Sequence, residues 1–297
     1  MANGIRKLRK KYGLDQATLA AKLGIAKTEL SQFERNWHEL PPRLVRDIAV
    51  LFECGVADVL GHEIEVEEWR HSPYAAGGGE TASITPYGNF GFEIAGTIFS
   101  YPISLGMRNG VLRQVRRREV VEIAKDDRSW FSFDTLNNWN VFANPAAMRR
   151  LWLKSDDDEV TDYYAHPEVY RAVNRWEYEK EHGPILSQAI ADHFELIGEE
   201  QAISDTERVR LFGLDGKETS DEYYACERVI GELFGLDIHW FRVEANAFVM
   251  VSSSGWYEEE HVNLSHLAVI QVPAEEFCRW SAPDETSPAN DDDEAAA

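Results

Sequence analysis

The segment LDQATLAAKLGIAKTELSQFERN, residues 14–36, contains two short amphipathic patterns separated by Gly24. The first pattern predicts a helix that Asp15 caps and whose inner face carries Leu19, Ala20 and Leu23. Gly24 tolerates the positive φ of a tight turn. The second pattern predicts a helix from Lys27 to Glu34 whose inner face carries Leu30 and Phe33. Two short helices are therefore expected to meet across one tight turn.

Further helical patterns flank this pair. A first helix ends near Gly13, and Pro41 and Pro42 open a fourth helix at the position where proline is best tolerated. A short fifth helix follows. The inner residues of these three helices are Ile5, Leu8, Tyr12, Leu44, Ile48, Leu51, Val56, Val59 and Leu60. Residues 1–62 are therefore predicted to form an all-α domain of five helices.

The residues of this domain resemble a known family. Two helices joined by a tight turn, with polar residues exposed on the second, have the geometry that enters the major groove of DNA. The segment resembles the helix-turn-helix of the Cro and phage-repressor class, the XRE family, over residues 4–61. The matching residues are Leu14, Gln16, Leu19, Ala20, Leu23, Gly24, Ile25, Ser31, Glu34 and Arg35. The resemblance implies double-stranded DNA as a partner and, usually, binding as a two-fold dimer.

The resemblance also implies roles for individual residues. Gln16 would contact phosphate, and Gln32 would read a base, since glutamine pairs bidentately with adenine. The residues implied to face the groove are Lys27, Thr28, Ser31 and Gln32, and those near the DNA backbone are Arg35 and Asn36. The chain departs from the family at Ala26, where a capping Ser or Thr is common, and at Glu29. Glu29 either reads cytosine or faces away from the DNA.

Charge is distributed unevenly along the chain. The net charge is −22, yet residues 1–61 hold 10 Lys and Arg against 7 Asp and Glu, a balance of +3. The remaining residues hold 20 against 45, a balance of −25. Charges beyond a Debye length of roughly 8–10 Å are largely screened, so the N-terminal domain can attract phosphate locally. The acidic remainder is expected to lower non-specific affinity for DNA.

The rest of the chain divides by composition. Residues 63–88 include Gly77-Gly78-Gly79 and are predicted to be a flexible linker. Residues 89–280 are predicted to be an α+β region for regulation or dimerisation. Residues 281–297, SAPDETSPANDDDEAAA, are predicted to be a disordered acidic tail.

The α+β region contains strand and helix patterns and a suggestion of duplication. The predicted strands are Val111–Val115, Glu119–Ala124, Ser129–Phe133, Val141–Ala143, Ala247–Val251, Trp256–Glu260 and Leu267–Val272. The predicted helices are His166–Glu181, Pro184–Gly198 and Asp221–Phe234. Residues around Leu136, Val141 and Trp152 recur around Leu264, Val269 and Trp280 at an offset of 128. This predicts a duplicated strand-rich module with repeats at 89–165 and 206–280.

No known catalytic motif is found. HExxH, paired CxxC and the nucleophile motif of self-cleaving repressors are absent, so we expect no catalytic residue, no metal and no cofactor. Three separated cysteines and the lack of an 18-residue apolar run favour a cytoplasmic protein without a membrane span.

Three functions stay open at this point. The first is a sequence-specific transcriptional regulator, most simply a repressor that binds a palindromic operator as a homodimer. The second is an antitoxin or defence-system adaptor whose C-terminal region binds a protein partner while the N-terminal domain autoregulates. The third is an unfamiliar enzyme tethered to DNA.

Overall fold

The computed structural model of this chain describes residues 4–35, 38–61, 86–119, 130–154, 161–174, 181–219, 222–225, 229, 230, 233, 247–251 and 260–281. Within them, an N-terminal group of helices precedes a mixed region of helices and antiparallel sheets. The predicted fold class, an all-α helix-turn-helix domain followed by an α+β region, is confirmed.

The five N-terminal helices are α1 (Ile5–Lys11), α2 (Gln16–Lys22), α3 (Lys27–Glu34), α4 (Pro42–Leu51) and α5 (Val56–Leu60). The Asp15 side chain accepts a hydrogen bond from the Thr18 N–H at 2.7 Å and so caps α2. Gly24 adopts φ 67° in the turn between α2 and α3. The inner residues form one core that includes Ile5, Leu19, Leu23, Leu30, Phe33, Ile48, Phe52 and Val59.

The strands of the second region are β1 (Pro86–Ile94), β2 (Thr97–Ser104), β3 (Phe131–Asp134), β4 (Trp139–Ala143), β5 (Arg150–Leu153), β6 (Arg208–Gly213), β7 (Tyr223–Tyr224), β8 (Phe248–Val251), β9 (Glu260–Asn263) and β10 (Leu267–Pro273). They form a three-stranded sheet ordered β2-β1-β5, a five-stranded sheet ordered β3-β4-β10-β6-β7, and the pair β8-β9. Every pairing is antiparallel.

The helices of this region are α6 (Leu105–Glu119), α7 (Pro167–Val173), α8 (Pro184–Ile197), α9 (Glu199–Glu207) and α10 (Ala274–Ser281). Helix α6 packs on β1, β2 and β3. The Gln114 side chain fixes it there, since its amide donates to the Ser132 carbonyl at 2.7 Å and accepts from the Ser132 N–H at 3.1 Å.

The predicted strand Val111–Val115 is wrong, because these residues lie inside α6. Valine is a β-branched residue that favours a strand locally. Met107, Val111 and Val115, however, recur every fourth residue and pack together on the sheet, so tertiary contacts override the local preference.

Other elements also differ from the predictions. Helix α7 ends at Val173, where Asn174 takes an extended conformation, so the helix predicted over 166–181 is too long. Tyr223 and Tyr224 form β7 where the start of a helix was predicted. The hairpin of β1 and β2 and the strand β6 were not predicted. Most of Glu119–Ala124 and of Trp256–Glu260 lies outside the described residues.

The boundaries of the predicted segments are only partly visible. Strand β1 begins at Pro86, inside the stretch assigned to the linker, and α10 ends at Ser281. Residues 62–85 and 282–297 lie outside the described residues, so the linker and the acidic tail stay predictions.

The strand orders bear on the predicted duplication. The orders β2-β1-β5 and β7-β6-β10 have the same form, and the pairs β3-β4 and β8-β9 follow the first two strands in each half. Asn144 and Asn263 each cap a 3₁₀ turn before β5 and β10. The offset of 128 instead matches Val141 in β4 with Val269 in β10, two strands that are neighbours. The strand orders match β5 with β10, whereas the offset of 128 matches β4 with β10. The two correspondences disagree, and the duplication itself stays a prediction.

The helical domain contacts the α+β region through α4. The Asp47 side chain on α4 is buried and accepts a hydrogen bond from the Leu186 N–H in the first turn of α8 at 2.9 Å. Arg46, the preceding residue of α4, donates to the Glu168 carboxylate of α7 at 2.6 Å. Ile185 also packs against the core of the helical domain. The Gly-rich linker suggested that the helical domain moves independently of the α+β region. In the structure, the helical domain is docked against α7 and α8 of that region.

We expect Gly183→Ala to weaken this docking. A Cβ at Gly183 would lie 2.1 Å from the Asp47 carboxylate, while its φ of −78° suits any residue. The variant should lose about 1–3 kcal/mol in chemical denaturation, the usual effect of overpacking.

Gly110→Ala in α6 is the matched control, because the nearest atom to the new Cβ, the Met107 sulfur, would be 3.5 Å away. Alanine inside a helix should leave stability unchanged or raise it by about 0.5–1 kcal/mol. Equal effects of the two substitutions would contradict the close contact at Gly183.

Candidate nucleic-acid interface

Helix α3 presents one polar face. Lys27 and Thr28 are exposed, and Ser31 and Gln32, one turn further on, are half-buried. Leu30 and Phe33 point into the core on the opposite side. As expected from Ala26, no side chain caps this helix. The four residues assigned to the groove therefore lie together on one helix.

Glu34, the last residue of α3, joins the first three helices. Its carboxylate accepts hydrogen bonds from the Arg9 guanidinium of α1, with one Nη2–Oε2 distance of 3.2 Å. It also accepts a bond from the Gln16 amide, the first residue of α2, at 2.8 Å. Arg9 donates in addition to the Leu14 carbonyl at 2.9 Å. This three-residue cluster fixes α3 relative to α1 and α2.

The cluster is a largely buried ion pair. The side chains of Arg9 and Glu34 are 12% and 4% exposed. Burial alone would raise the pKa of Glu34, but the hydrogen bonds from Arg9 and Gln16 outweigh it and hold that pKa below 4.5. The bond to Glu34 likewise raises the pKa of Arg9. Both groups are thus charged near neutral pH.

The Gln16 side chain faces this cluster, and its Nε2 atom donates to Glu34. One of the two N–H donors of this amide is therefore engaged within the protein, and Gln16 still lines a surface depression beside α3. The sequence did not reveal this bond between Gln16 and Glu34.

A surface depression of about 550 Å³ lies beside the polar face of α3. Its charged lining consists of Arg6, Arg9, Lys10, Lys27 and Arg35 against Asp15 and Glu34, and Gln16 lines it too. The structure thus brings together three of the assigned residues, Gln16, Lys27 and Arg35. Thr28, Ser31 and Gln32 lie on α3 outside this lining, and Asn36 lies outside the described residues.

The depression also contains three residues that the sequence analysis did not assign to the interface: Arg6, Arg9 and Lys10. The available signal was the run of basic residues in α1, which places cations in its last turns. Cations next to a polar helix face suit a phosphate backbone next to base edges, because phosphate contacts set affinity and register while base contacts set specificity.

Comparison with known proteins agrees with this geometry. Residues 5–59 match the model of the helix-turn-helix family, so the N-terminal domain is a helix-turn-helix domain of the type that binds DNA. The remaining residues match no family model, and no match was found among curated proteins or solved structures. None of the described helices is both long and apolar enough to cross a membrane.

We expect Glu34→Ala to destabilise the helix-turn-helix domain by about 1–3 kcal/mol, because Arg9 loses its charged partner while it keeps the Leu14 carbonyl and lines the depression. The effect should depend on pH. Because the folded-state pKa of Glu34 is lowered, its stabilisation is present above 4.5 and is lost as pH falls through the lowered value. Urea denaturation of the wild type and of Glu34→Ala, at pH values from neutral to below 4.5, measures the difference in their free energies of unfolding.

Glu29→Ala removes an exposed carboxylate from the same helix and should change stability by less than about 0.5 kcal/mol. If the difference in free energy of unfolding between wild type and Glu34→Ala stays constant on acidification, the ion pair is not its origin.

Proposed function

We propose that this protein is a sequence-specific DNA-binding transcriptional regulator, a repressor that acts as a dimer on a palindromic operator. The observation that carries the proposal is the polar face of α3 beside a depression lined by three cations of α1, by Lys27 of α3 and by Arg35 directly after α3. In this function α3 enters the major groove and occupancy of the operator blocks transcription, so no catalysis is needed.

The proposal separates two kinds of contact. Gln32, on the polar face of α3, reads a base edge, and a bidentate pair with adenine is worth about 1–3 kcal/mol of discrimination. Lys27, which lines the depression, binds phosphate and contributes to affinity for any sequence. Thr28 and Ser31 lie on the same face of α3, between Lys27 and Gln32 in the chain.

Gln32→Ala is expected to relax base preference at one position in each half-site, as measured by selection from a random DNA library. Lys27→Ala should instead weaken binding to all sequences and reduce the slope of log K against log salt by about 0.9. Lys22→Ala is the control, since Lys22 is exposed on α2 and does not line the depression. An unchanged selected site for Gln32→Ala would remove Gln32 from the base-reading residues.

Dimerisation is proposed because one module of this kind buries only about 600–1,000 Å² on DNA, whereas two copies about 34 Å apart read a palindrome together. Apolar side chains that could cover a contact are exposed on the α+β region. Ile98 is 60% exposed and Leu214 is 47% exposed. The turn that contains Leu214 and Gly216 passes close to β2, since a Cβ at Gly216 would lie 2.7 Å from the Thr97 hydroxyl. We infer that Ile98, the more exposed of the two, lies at the dimer contact.

We expect the intact protein to sediment as a dimer at micromolar concentration and Ile98→Glu to shift it towards monomer. Leu196→Glu, at an exposed position of α8, is the control and should leave the dimer intact. A monomeric wild-type protein would exclude a dimer formed without DNA, and equal effects of both variants would exclude this contact.

A second candidate function is supported by the spread of exposed apolar residues over separate elements, such as Leu196 on α8 and Phe248 on β8. In an antitoxin or adaptor these residues would contact a different protein, and the helix-turn-helix domain would regulate its own operon. A stable complex with the product of an adjacent gene would favour this function over a free repressor.

A further inference from the structure

A cleft of about 460 Å³ lies where the helix-turn-helix domain meets α7 and α8. One wall comes from the N-terminal domain, including Val45 of α4 and Val56 and Leu60 of α5. The other wall comes from the α+β region, including Leu186 of α8. Its volume falls within the roughly 300–1,000 Å³ of small-molecule sites, which often lie between domains.

The charged lining of the cleft is asymmetric. Three guanidinium groups, from Arg43, Arg46 and Arg171, face two carboxylates, from Glu168 and Glu181. Arg46 and Arg171 are both held by Glu168, at 2.6 and 2.8 Å. Arg171 also pairs with Glu275 at 3.0 Å, so two carboxylates balance these two arginines, and Arg43 is the most exposed of the three guanidinium groups.

Arg43 differs from the other two arginines. It pairs with Glu181 at 3.2 Å, but the two side chains are 56% and 84% exposed. Exposed pairs of this kind contribute about 0–1 kcal/mol, so a bound anion can replace Glu181 at little cost. A carboxylate accepts two parallel hydrogen bonds from one guanidinium, which makes the exchange favourable.

We propose that this cleft binds a small amphipathic carboxylate. The carboxylate pairs with Arg43 at the rim, and the apolar part of the ligand lies against Val45, Val56, Leu60 and Leu186. An amphipathic cation of the same length cannot pair with Arg43 and would be repelled by it at the rim. A neutral alcohol would fill the apolar part, but Arg43 would stay paired with Glu181 and would add no ionic interaction with the ligand.

The position of the cleft implies a regulatory effect, and this part of the inference rests on the proposed function. Because both sides of the junction contribute walls, a ligand that fills the cleft binds the docked arrangement better than a separated one. Such a ligand shifts the population towards docking by its difference in affinity for the two arrangements. It thereby holds α3 in one orientation relative to the α+β region.

The test uses octanoate as ligand and the intact protein without DNA, with binding measured by calorimetry. Octanoate should bind at least tenfold more tightly than octylammonium or octanol. Arg43→Gln should weaken octanoate binding about tenfold, and Leu60→Trp should weaken it by filling the cleft. Arg208→Gln is the control, because Arg208 forms a partly exposed pair with Glu222 at 2.7 Å away from the cleft lining.

Three results would overturn the assignment: no saturable binding of octanoate, equal binding of octanoate and octanol, or unchanged binding to Arg43→Gln. DNA affinity is then measured with and without saturating octanoate. Equal affinities would contradict the regulatory effect. Failure to bind any DNA without octanoate would count against the proposed function while leaving the binding result intact.

Discussion

A carboxylate of the DNA-binding domain has its hydrogen-bond donors in the other part of the chain. Asp47 is 1% exposed and accepts a bond from the Leu186 N–H at the start of α8. A docking in any other register would leave this buried acceptor unsatisfied, at a penalty of about 1–3 kcal/mol or more for a charged group. The position of the helix-turn-helix domain therefore depends on this contact, which selects one arrangement among those that apolar residues alone would allow.

The same contact is not a simple source of stability. Burial raises the pKa of Asp47 above 3.8, although the N–H groups of Leu186 and Ile185 act in the opposite direction. With a raised pKa in the folded state, the contribution of this group is most favourable when it is protonated and weakens as pH rises through that value. Glu34 behaves in the opposite way. One buried carboxylate thus orients the domain, whereas the other stabilises its interior.

Local patterns predicted the helix-turn-helix domain well because its determinants are close in sequence. Asp15 caps the helix that follows it, Gly24 makes the turn, and Ala26 leaves α3 without a side-chain cap. The contact between Arg9 and Glu34 spans 25 residues, and no periodic pattern marks it. The basic residues of α1 were visible in sequence, but their place beside Lys27 follows only from how the helices pack.

The α+β region was harder to predict because its determinants are long-range. Strand β1 contains Gly91, which disfavours a strand locally. A Cβ there would lie 2.5 Å from the Trp152 ring of β5, so the glycine makes room for an indole some 60 residues later. Helix α6 was missed for the same kind of reason, since it is held by Ser132 of β3. The cleft at Arg43 depends on two distant segments and could not be predicted at all.

The docking of the helix-turn-helix domain also bears on how a dimer would measure DNA. If α+β regions join two copies, each α3 is carried on a fixed arm, and the distance between the two recognition helices becomes a property of the protein. One extra base pair between half-sites moves the second site by about 3.4 Å and rotates it by roughly 35° around the DNA axis. Two α3 helices held at a fixed distance and angle cannot follow both changes. Such a dimer would therefore reject operators by the spacing of their half-sites as well as by their bases.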